Sequence, residues 1–312
     1  MMNSPKKFNY ETRPHKFTER KMLLASLQKI CNYFGGIYQY IGLGGISFTD
    51  FKLFHKELHI NELCSIEGGK FSEKRLHFNS PYSFIKIRKT ISTIALNEID
   101  LTKKTLIWLD YDDTLNLSMF DDIRILFSKL PVGSIYIMTC NRELKEKETR
   151  EEYSKEKFKD EFGTLTPYEI ENIDFSSENN FRTIQRMLNS HINNIVRERN
   201  NIEEIKIEFS QLYNILYQEN QGARMFTYGG IIISKEFRIE EIGLEVFDFI
   251  VDNVEPYIIK IPNLTRKEFE LIDSHLFLKE EELLAKGIVS SDHIDQYKKV
   301  YKYIPHFYDI RM

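Results

Sequence analysis

The sequence is poor in several features that would have placed it quickly. It has three cysteines in 312 residues, Cys31, Cys64 and Cys140. They are too few and too scattered for a disulfide framework or a zinc knuckle, and a reducing cytoplasm is the setting that fits them. No run approaches the ~18 apolar residues that a membrane-spanning helix requires. The first 20 residues are polar and basic, without the apolar core of a secretory signal. Neither sign of charge dominates: 43 Lys and Arg face 47 Asp and Glu, a net charge of −4. The strongly basic balance of a simple nucleic-acid binder is therefore missing. Internal repeats and low-complexity tracts are missing too. What remains is a folding mixture, 42% apolar and 29% charged, with 23 Phe and 17 Tyr against one Trp. Its length suits one large domain or two modest ones.

Residues 1–20 read as a polar arm that includes Arg13-Pro14-His15-Lys16. A loose terminus is the plain expectation for it, and a substrate-gripping arm the sharper one. Residues 18–33 carry Met22, Leu23, Leu27 and Ile30 at helical spacing, and Gly35-Gly36 closes the helix. Strand and helix then alternate. Strands are predicted at 37–41, 63–66, 84–87, 105–109 and 134–138, with helical stretches between them. This is the pattern of an α/β, Rossmann-like, doubly wound and mostly parallel sheet, whose strands read as continuous apolar runs because both faces are covered. The core is placed at 21–141. Residues 142–161 are dominated by Lys and Glu, 179–216 are polar with a helical period, and 142–222 reads as a mostly helical insertion, the segment suited to a protein partner. Strand candidates at 223–234 and 257–261 place the last core strands in 223–265, and 266–312 reads as a helical C-terminal region. Arg182, Arg186, Arg197 and Arg199 of the insertion are diluted by Glu198, Glu203 and Glu204, so a solvent-facing surface is expected and nucleic acid is not indicated. Tyr297, Tyr301, Tyr303, Phe307 and Tyr308 are expected to pack onto the body. His15, His55, His59 and His77 show no metal spacing.

Two features carry chemistry together. Gly42-Leu43-Gly44-Gly45 lies between the first strand and a helix, where glycines let a ligand approach the backbone and a helix N-terminus offers free N–H groups. Glu67 ends the next strand, where an acid accepts hydrogen bonds from ribose hydroxyls in a nucleotide-binding sheet. The run is not G-x-G-x-x-G. Ordinary strand-to-helix turns with an exposed Glu are the bland alternative.

In order as well as in type, these motifs resemble the class I S-adenosylmethionine-dependent methyltransferases. Tyr40-Ile41-Gly42-Leu43-Gly44 is similar to their first motif, and Ser65-Ile66-Glu67 to the ribose-binding acid. Trp108-Leu109-Asp110-Tyr111 resembles the motif beside the methyl donor. Ile137-Met138-Thr139-Cys140-Asn141 falls where the fifth strand ends. The resemblance implies S-adenosylmethionine as cofactor, bound by Tyr40, Gly42, Gly44, Glu67 and Asp110. It implies in-line methyl transfer to an unidentified acceptor, with Asp110 and Asp112 as catalytic candidates. The family's acid just before the first glycine is absent; Tyr40 or Gln39 stands near that place. Metal-dependent O-methyltransferases hold a cation with an Asp after the fourth strand and an Asp-Asn pair after the fifth. Asp110 and Asn141 match that pattern, but Cys140 replaces the second Asp, and a thiol is a poor ligand for Mg²⁺. Asp112 is the candidate to compensate. No metal is expected.

Two rival readings stand beside this one. Asp110-Tyr111-Asp112-Asp113-Thr114 fits the D-x-D-x-T signature of haloacid-dehalogenase-like, Mg²⁺-dependent phosphatases, with Thr139, the pair Asp248 and Asp252, and Lys206 or Lys235 as further parts. Against it, about 100 residues of strand–helix pattern precede the nucleophile strand, neither Lys206 nor Lys235 is an obvious catalytic lysine, and the glycines and Glu67 are left idle. Asp112 and Asp113 could also simply cap a turn. Alternatively, the missing acid and Cys140 mark a catalytically degenerate module that works within a multiprotein assembly. The sheet decides much of this. A methyltransferase core requires the strands ending at Gly42 and Asp110 to be parallel neighbours that open on one crevice.

Overall fold

The computed structural model describes residues 13–146, 148–219, 222–276 and 280–305. The first half runs α1 (Pro14–Phe34), β1 (Gln39–Gly42), α2 (Thr49–Leu58), β2 (Glu62–Ile66), α3 (Glu73–Asn79), β3 (Lys86–Arg88), α4 (Ser92–Glu98), β4 (Thr105–Thr114), α5 (Leu117–Phe127) and β5 (Ile135–Asn141). Then follow α6 (Lys155–Phe162), α7 (Asn180–Asn200), β6 (Ile207–Gln218), β7 (Arg224–Ser234), β8 (Tyr257–Ile258), α8 (Arg266–Asp273), α9 (Glu280–Ala285) and α10 (Ser291–Val300). The strands form one sheet in the order β3-β2-β1-β4-β5-β7-β6-β8. β1 pairs in parallel with both β2 and β4, Gly42 lying beside Ser65 and Trp108. β7 is antiparallel to both β5 and β6. The strands ending at Gly42 and near Asp110 are thus parallel neighbours. The fold is an α/β Rossmann-like sheet.

The period of two along each strand sorts the core into two layers. Leu106 and Trp108 of β4, Ile135 and Ile137 of β5, and Tyr40 of β1 pack under α1 and α2. Ile107 and Leu109 of β4, and Tyr136, Met138 and Cys140 of β5, pack against α5 and α7 on the other face. Asp110 follows in the register of Trp108 and turns towards α1. Tyr111 turns the other way, where its hydroxyl donates to Asp122 of α5 at 2.8 Å. Ser92 and Thr93, at the start of α4, donate to the same carboxylate at 2.5 and 3.0 Å. Asp122 thereby ties α4, β4 and α5 together below the crevice.

α1 is docked by charge as well as by oil. Leu23, Leu27 and Ile30 sit in the core under it. One and two turns earlier on the same stripe stand Arg20 and Lys16, both 2% exposed. Lys16 Nζ lies 2.8 Å from Glu19 and 3.0 Å from Asp110, and 4.4 Å over the Trp108 ring. Thr227 of β7 donates to Glu19 and shares a 2.8 Å hydrogen bond with Thr139 of β5. Trp108 Nε1 donates to Thr139 at 3.0 Å. At the entry of α1, Glu219 accepts from the Lys16 N–H at 2.8 Å, an anion on a helix N-terminus. The expected loose arm is corrected here: Pro14 opens the helix, and Lys16 is locked beneath it. Residues 1–12 lie outside the described residues.

The region after β5 differs from the expectation in one strand. Within the segment 142–222, expected to be mostly helical, the long helix ends at Asn200 and β6 follows. The last two strands of the core are therefore 207–218 and 224–234, and 257–258 is an added edge strand parallel to β6. Gln211 and Asn214 disguise β6 as polar. Their amide groups are consumed by carbonyls of the following loop, Gln211 to Val251 at 2.9 Å and Asn214 to Val254 at 3.0 Å. α7 spends its apolar face inside the protein, on α5 and β6. Its arginines are engaged within the chain: Arg199 donates to the Leu130 carbonyl at 2.7 Å and Arg182 pairs with Glu255 at 2.8 Å. The helices of the tail close a small core of their own around Tyr297, and Tyr303 packs edge-on to Phe249. Phe307 and Tyr308 lie outside the described residues. Among the described residues no helix is long and apolar enough to cross a membrane.

Removing one partner of a buried ion pair leaves the other charge desolvated, at a cost of about 3–5 kcal/mol. Lys16→Met should therefore lower the unfolding free energy by about that amount, read by denaturant titration. A loss below 1 kcal/mol would show that the α1 ion pairs do not hold the helix.

Candidate functional site

The carboxyl ends of β1, β2 and β4 open on a cavity of about 560 Å³, within the 300–1,000 Å³ typical of small-molecule sites. Its glycine-rich side is built by Leu43, Gly44 and Gly45, and its acidic side by Asp50, Glu67, Asp110, Asp112 and Asp113. Ile66, Ile91 and Met119 supply apolar wall.

Glu67 is the best-prepared of these acids. It is buried, accepts from Ser65 Oγ at 2.8 Å, and its carboxylate also takes the backbone N–H groups of Gly45 and Gly44. Burial pushes its carboxyl above the usual range, and the Ser65 hydroxyl, Lys89 and the two glycine amides pull it back. Lys89 Nζ bridges the Glu67 carbonyl, at 3.0 Å, to that of Gly69, fixing the turn. Gly44 is needed for this fit: a Cβ there would overlap Ser65 Oγ and crowd Glu67 and Phe51. The glycine loop and the acid of the next strand are thus parts of one wall.

Asp50 opens α2 and accepts from Arg20 Nε of α1 at 2.5 Å. Asp110 is held by Lys16. Asp112 lies farther out in the same wall and is open to water on the cavity side. Burial by the surrounding wall, with Asp110 and Asp113 beside it, pushes its carboxyl up to about 7, against the opposing pull of Arg13 and Lys16.

Of the predicted residues, Gly44, Glu67, Asp110 and Asp112 meet at this cavity. Tyr40 and Gly42 do not line it. The Tyr40 ring is buried against Phe51 and Phe54, each with centroids 4.8 Å away, and burial pushes its hydroxyl far up. Gln39 lies at the opposite end of β1, donating to the Asp100 carbonyl at 2.6 Å. Cys140 cannot join Asp110, because the two side chains leave the sheet on opposite faces. Among the described residues no group of three or more His, Cys, Asp or Glu is placed to hold a metal. The phosphatase constellation is not assembled either: Asp248 lines a second cavity, with Tyr257 and Lys299, and Thr139 is spent on Trp108 and Thr227. The sequence reading missed Glu19, Arg20 and Asp50, and it placed Lys16 in a terminal arm rather than in a buried helix. The signal for two of them was legible, since positions 16 and 20 continue the spacing of Leu23, Leu27 and Ile30 with charges.

Over residues 8–312 the chain matches the family described as "Putative O-methyltransferase". It belongs to that family. No curated protein matches the chain by sequence. Solved structures with a similar fold include the N-methyltransferase NodS from Bradyrhizobium japonicum WM9 in complex with S-adenosyl-L-homocysteine, at 10% identity, covering 73% of this chain and 94% of that one, TM-score 0.41. Spermidine synthase from Thermotoga maritima is also 10% identical, covering 92% of this chain and 75% of that one, TM-score 0.41. A SAM-dependent methyltransferase from Archaeoglobus fulgidus is 13% identical, covering 72% and 100%, TM-score 0.33. The assignment rests on the family match and on this chain's own sheet order. Methyl transfer from S-adenosylmethionine is the activity that goes with both.

The cavity wall thus places Gly44 and Gly45 beside the buried Glu67 carboxylate, with Asp50, Asp110, Asp112 and Asp113 on its acidic side.

The pH response of Asp112 follows from its raised carboxyl. The folded state holds this proton more tightly than the unfolded chain, whose carboxyl keeps its ordinary value near 3.8. The stability this contributes is complete below about 4 and is lost as pH rises through about 7. Asp112→Asn should therefore gain on the wild type in unfolding free energy between pH 5 and pH 8. Parallel stability–pH curves would mean that Asp112 has an ordinary carboxyl.

Proposed function

We propose that this chain transfers the methyl group of S-adenosylmethionine to an oxygen nucleophile of a small molecule, with Asp112 as the base that takes the acceptor's proton. The observation that carries this is the pairing of Asp110 and Asp112 in one wall. Lys16 clamps the first, and the second is poised to exchange a proton near neutrality. Two carboxylates in different surroundings divide the labour of positioning and proton transfer.

Glu67 would hold the donor's ribose hydroxyls, Gly44 and Gly45 would admit it against the backbone, and Ile66, Ile91 and Met119 offer an apolar wall to the base. When bound, the donor supplies an electrophilic methyl group on a sulfonium. Asp110, immobilised by Lys16 and by the sheet, would orient the acceptor, and Asp112 Oδ would accept its hydroxyl proton as the oxygen attacks. The three cysteines are unbridged, which fits the cytoplasm as the place of work.

Titration calorimetry with S-adenosylmethionine should show micromolar binding. Glu67→Ala should weaken it at least about tenfold, the loss of charge-assisted hydrogen bonds to a buried acid. Absence of binding would overturn the proposal, as would Mg²⁺-dependent phosphatase activity that disappears in Asp110→Asn. With an acceptor in hand, the rate should climb with pH through about 7, where Asp112 loses its proton. Asp112→Asn should remove that limb and slow transfer by roughly 10²–10⁴-fold.

A further inference from the structure

The family's acid before the first glycine is absent, and its position is filled by Tyr40, whose ring is sealed in the core. Yet charge has not left this spot. The Tyr40 hydroxyl folds back over Gly42, where an added Cβ would strike it. It lies within electrostatic reach of Asp50, Asp110 and Arg20. The carboxylates around that hydroxyl therefore come from the neighbouring elements, α2 and β4, and not from β1. Both line the cavity beside the glycine loop. Each is held from behind by a buried cation of α1, Arg20 on Asp50 at 2.5 Å and Lys16 on Asp110 at 3.0 Å.

From this arrangement we infer that Asp50 is the residue that binds the α-ammonium group of the methyl donor, in place of the missing acid on β1. The inference rests on the donor site proposed above. Asp50 is assigned over the other acids of the wall on three grounds. Glu67 is assigned to the ribose hydroxyls, and Ser65 and the Gly44 and Gly45 amides already take part of its carboxylate. Asp112 lies out towards the acceptor. Asp110 shares Lys16 with Glu19 and faces the reacting end. Asp50 stands in the first turn of α2, directly after the loop, buried and with one carboxylate oxygen on Arg20. Arg20 is a positioning residue: its Nε fixes the carboxylate that meets the ligand. A charged acceptor buried and pre-oriented in this way loses little entropy when an ammonium docks.

The test compares two ligands on the full chain. S-adenosylhomocysteine carries the amino-acid end; 5′-methylthioadenosine has the same nucleoside and thioether without it. Wild-type protein should bind the first more tightly. Asp50→Asn should raise its dissociation constant about tenfold or more and leave that of methylthioadenosine within about twofold. Equal affinity of the wild type for both ligands overturns the ammonium subsite alone. Binding of neither overturns the donor site beneath it. An unchanged preference in Asp50→Asn overturns the assignment to Asp50. A crystal structure of the wild type with S-adenosylhomocysteine decides the matter without any variant. The ammonium nitrogen should lie about 3 Å from an Asp50 carboxylate oxygen, and its placement on another acid overturns the inference.

Discussion

The ion pair between Lys16 and Asp110 organises everything around it. An ammonium with 2% of its surface exposed is costly to bury, and it is tolerated because Asp110, Glu19 and the Trp108 ring surround it. Glu19 in turn needs Thr227, and Thr227 meets Thr139 and through it Trp108. One polar chain therefore crosses from α1 through β7 and β5 to β4. It fixes the first helix over the sheet and holds the carboxylate at the end of β4 in one place. Lys16, Arg20, Asp50 and Asp110 form two such pairs, whose cations come from one stripe of α1 and whose carboxylates come from β4 and α2.

This arrangement separates structural charge from chemical charge. Asp110 and Asp50 are clamped from behind by α1, so their geometry is set before any ligand arrives. Asp112 lies beyond the clamp in the outer part of the same wall, where burial, with Asp110 and Asp113 beside it, pushes its carboxyl up. Glu67 is bound to the backbone it helps to shape. Preorganised positions of this sort are what methyl transfer asks of a protein, since the reacting electrons belong to donor and acceptor.

Much of this was legible in the chain. β1, β2, β4 and β5 were visible as apolar runs because both sheet faces are covered there, and Gly44, Glu67, Asp110 and Asp112 could be placed at or after strand ends by order alone. β6 was hidden for a physical reason: Gln211 and Asn214 are buried amides satisfied by loop carbonyls some 40 residues away, so local polarity misreported burial. Tyr40 was assigned by position in a motif, while the alternation along β1 turned it into the core. The α1 charges were missed because a polar terminus reads as solvent-facing. Only their continuation of the stripe of Leu23 and Leu27 betrays them.

The crevice at the ends of β1, β2 and β4 should receive the methyl donor. Amide hydrogen exchange with and without S-adenosylhomocysteine tests it most directly. Protection should concentrate in residues 43–50, 66–69 and 110–113. Protection confined to the second cavity, around Asp248, Tyr257 and Lys299, or no change anywhere, would contradict it.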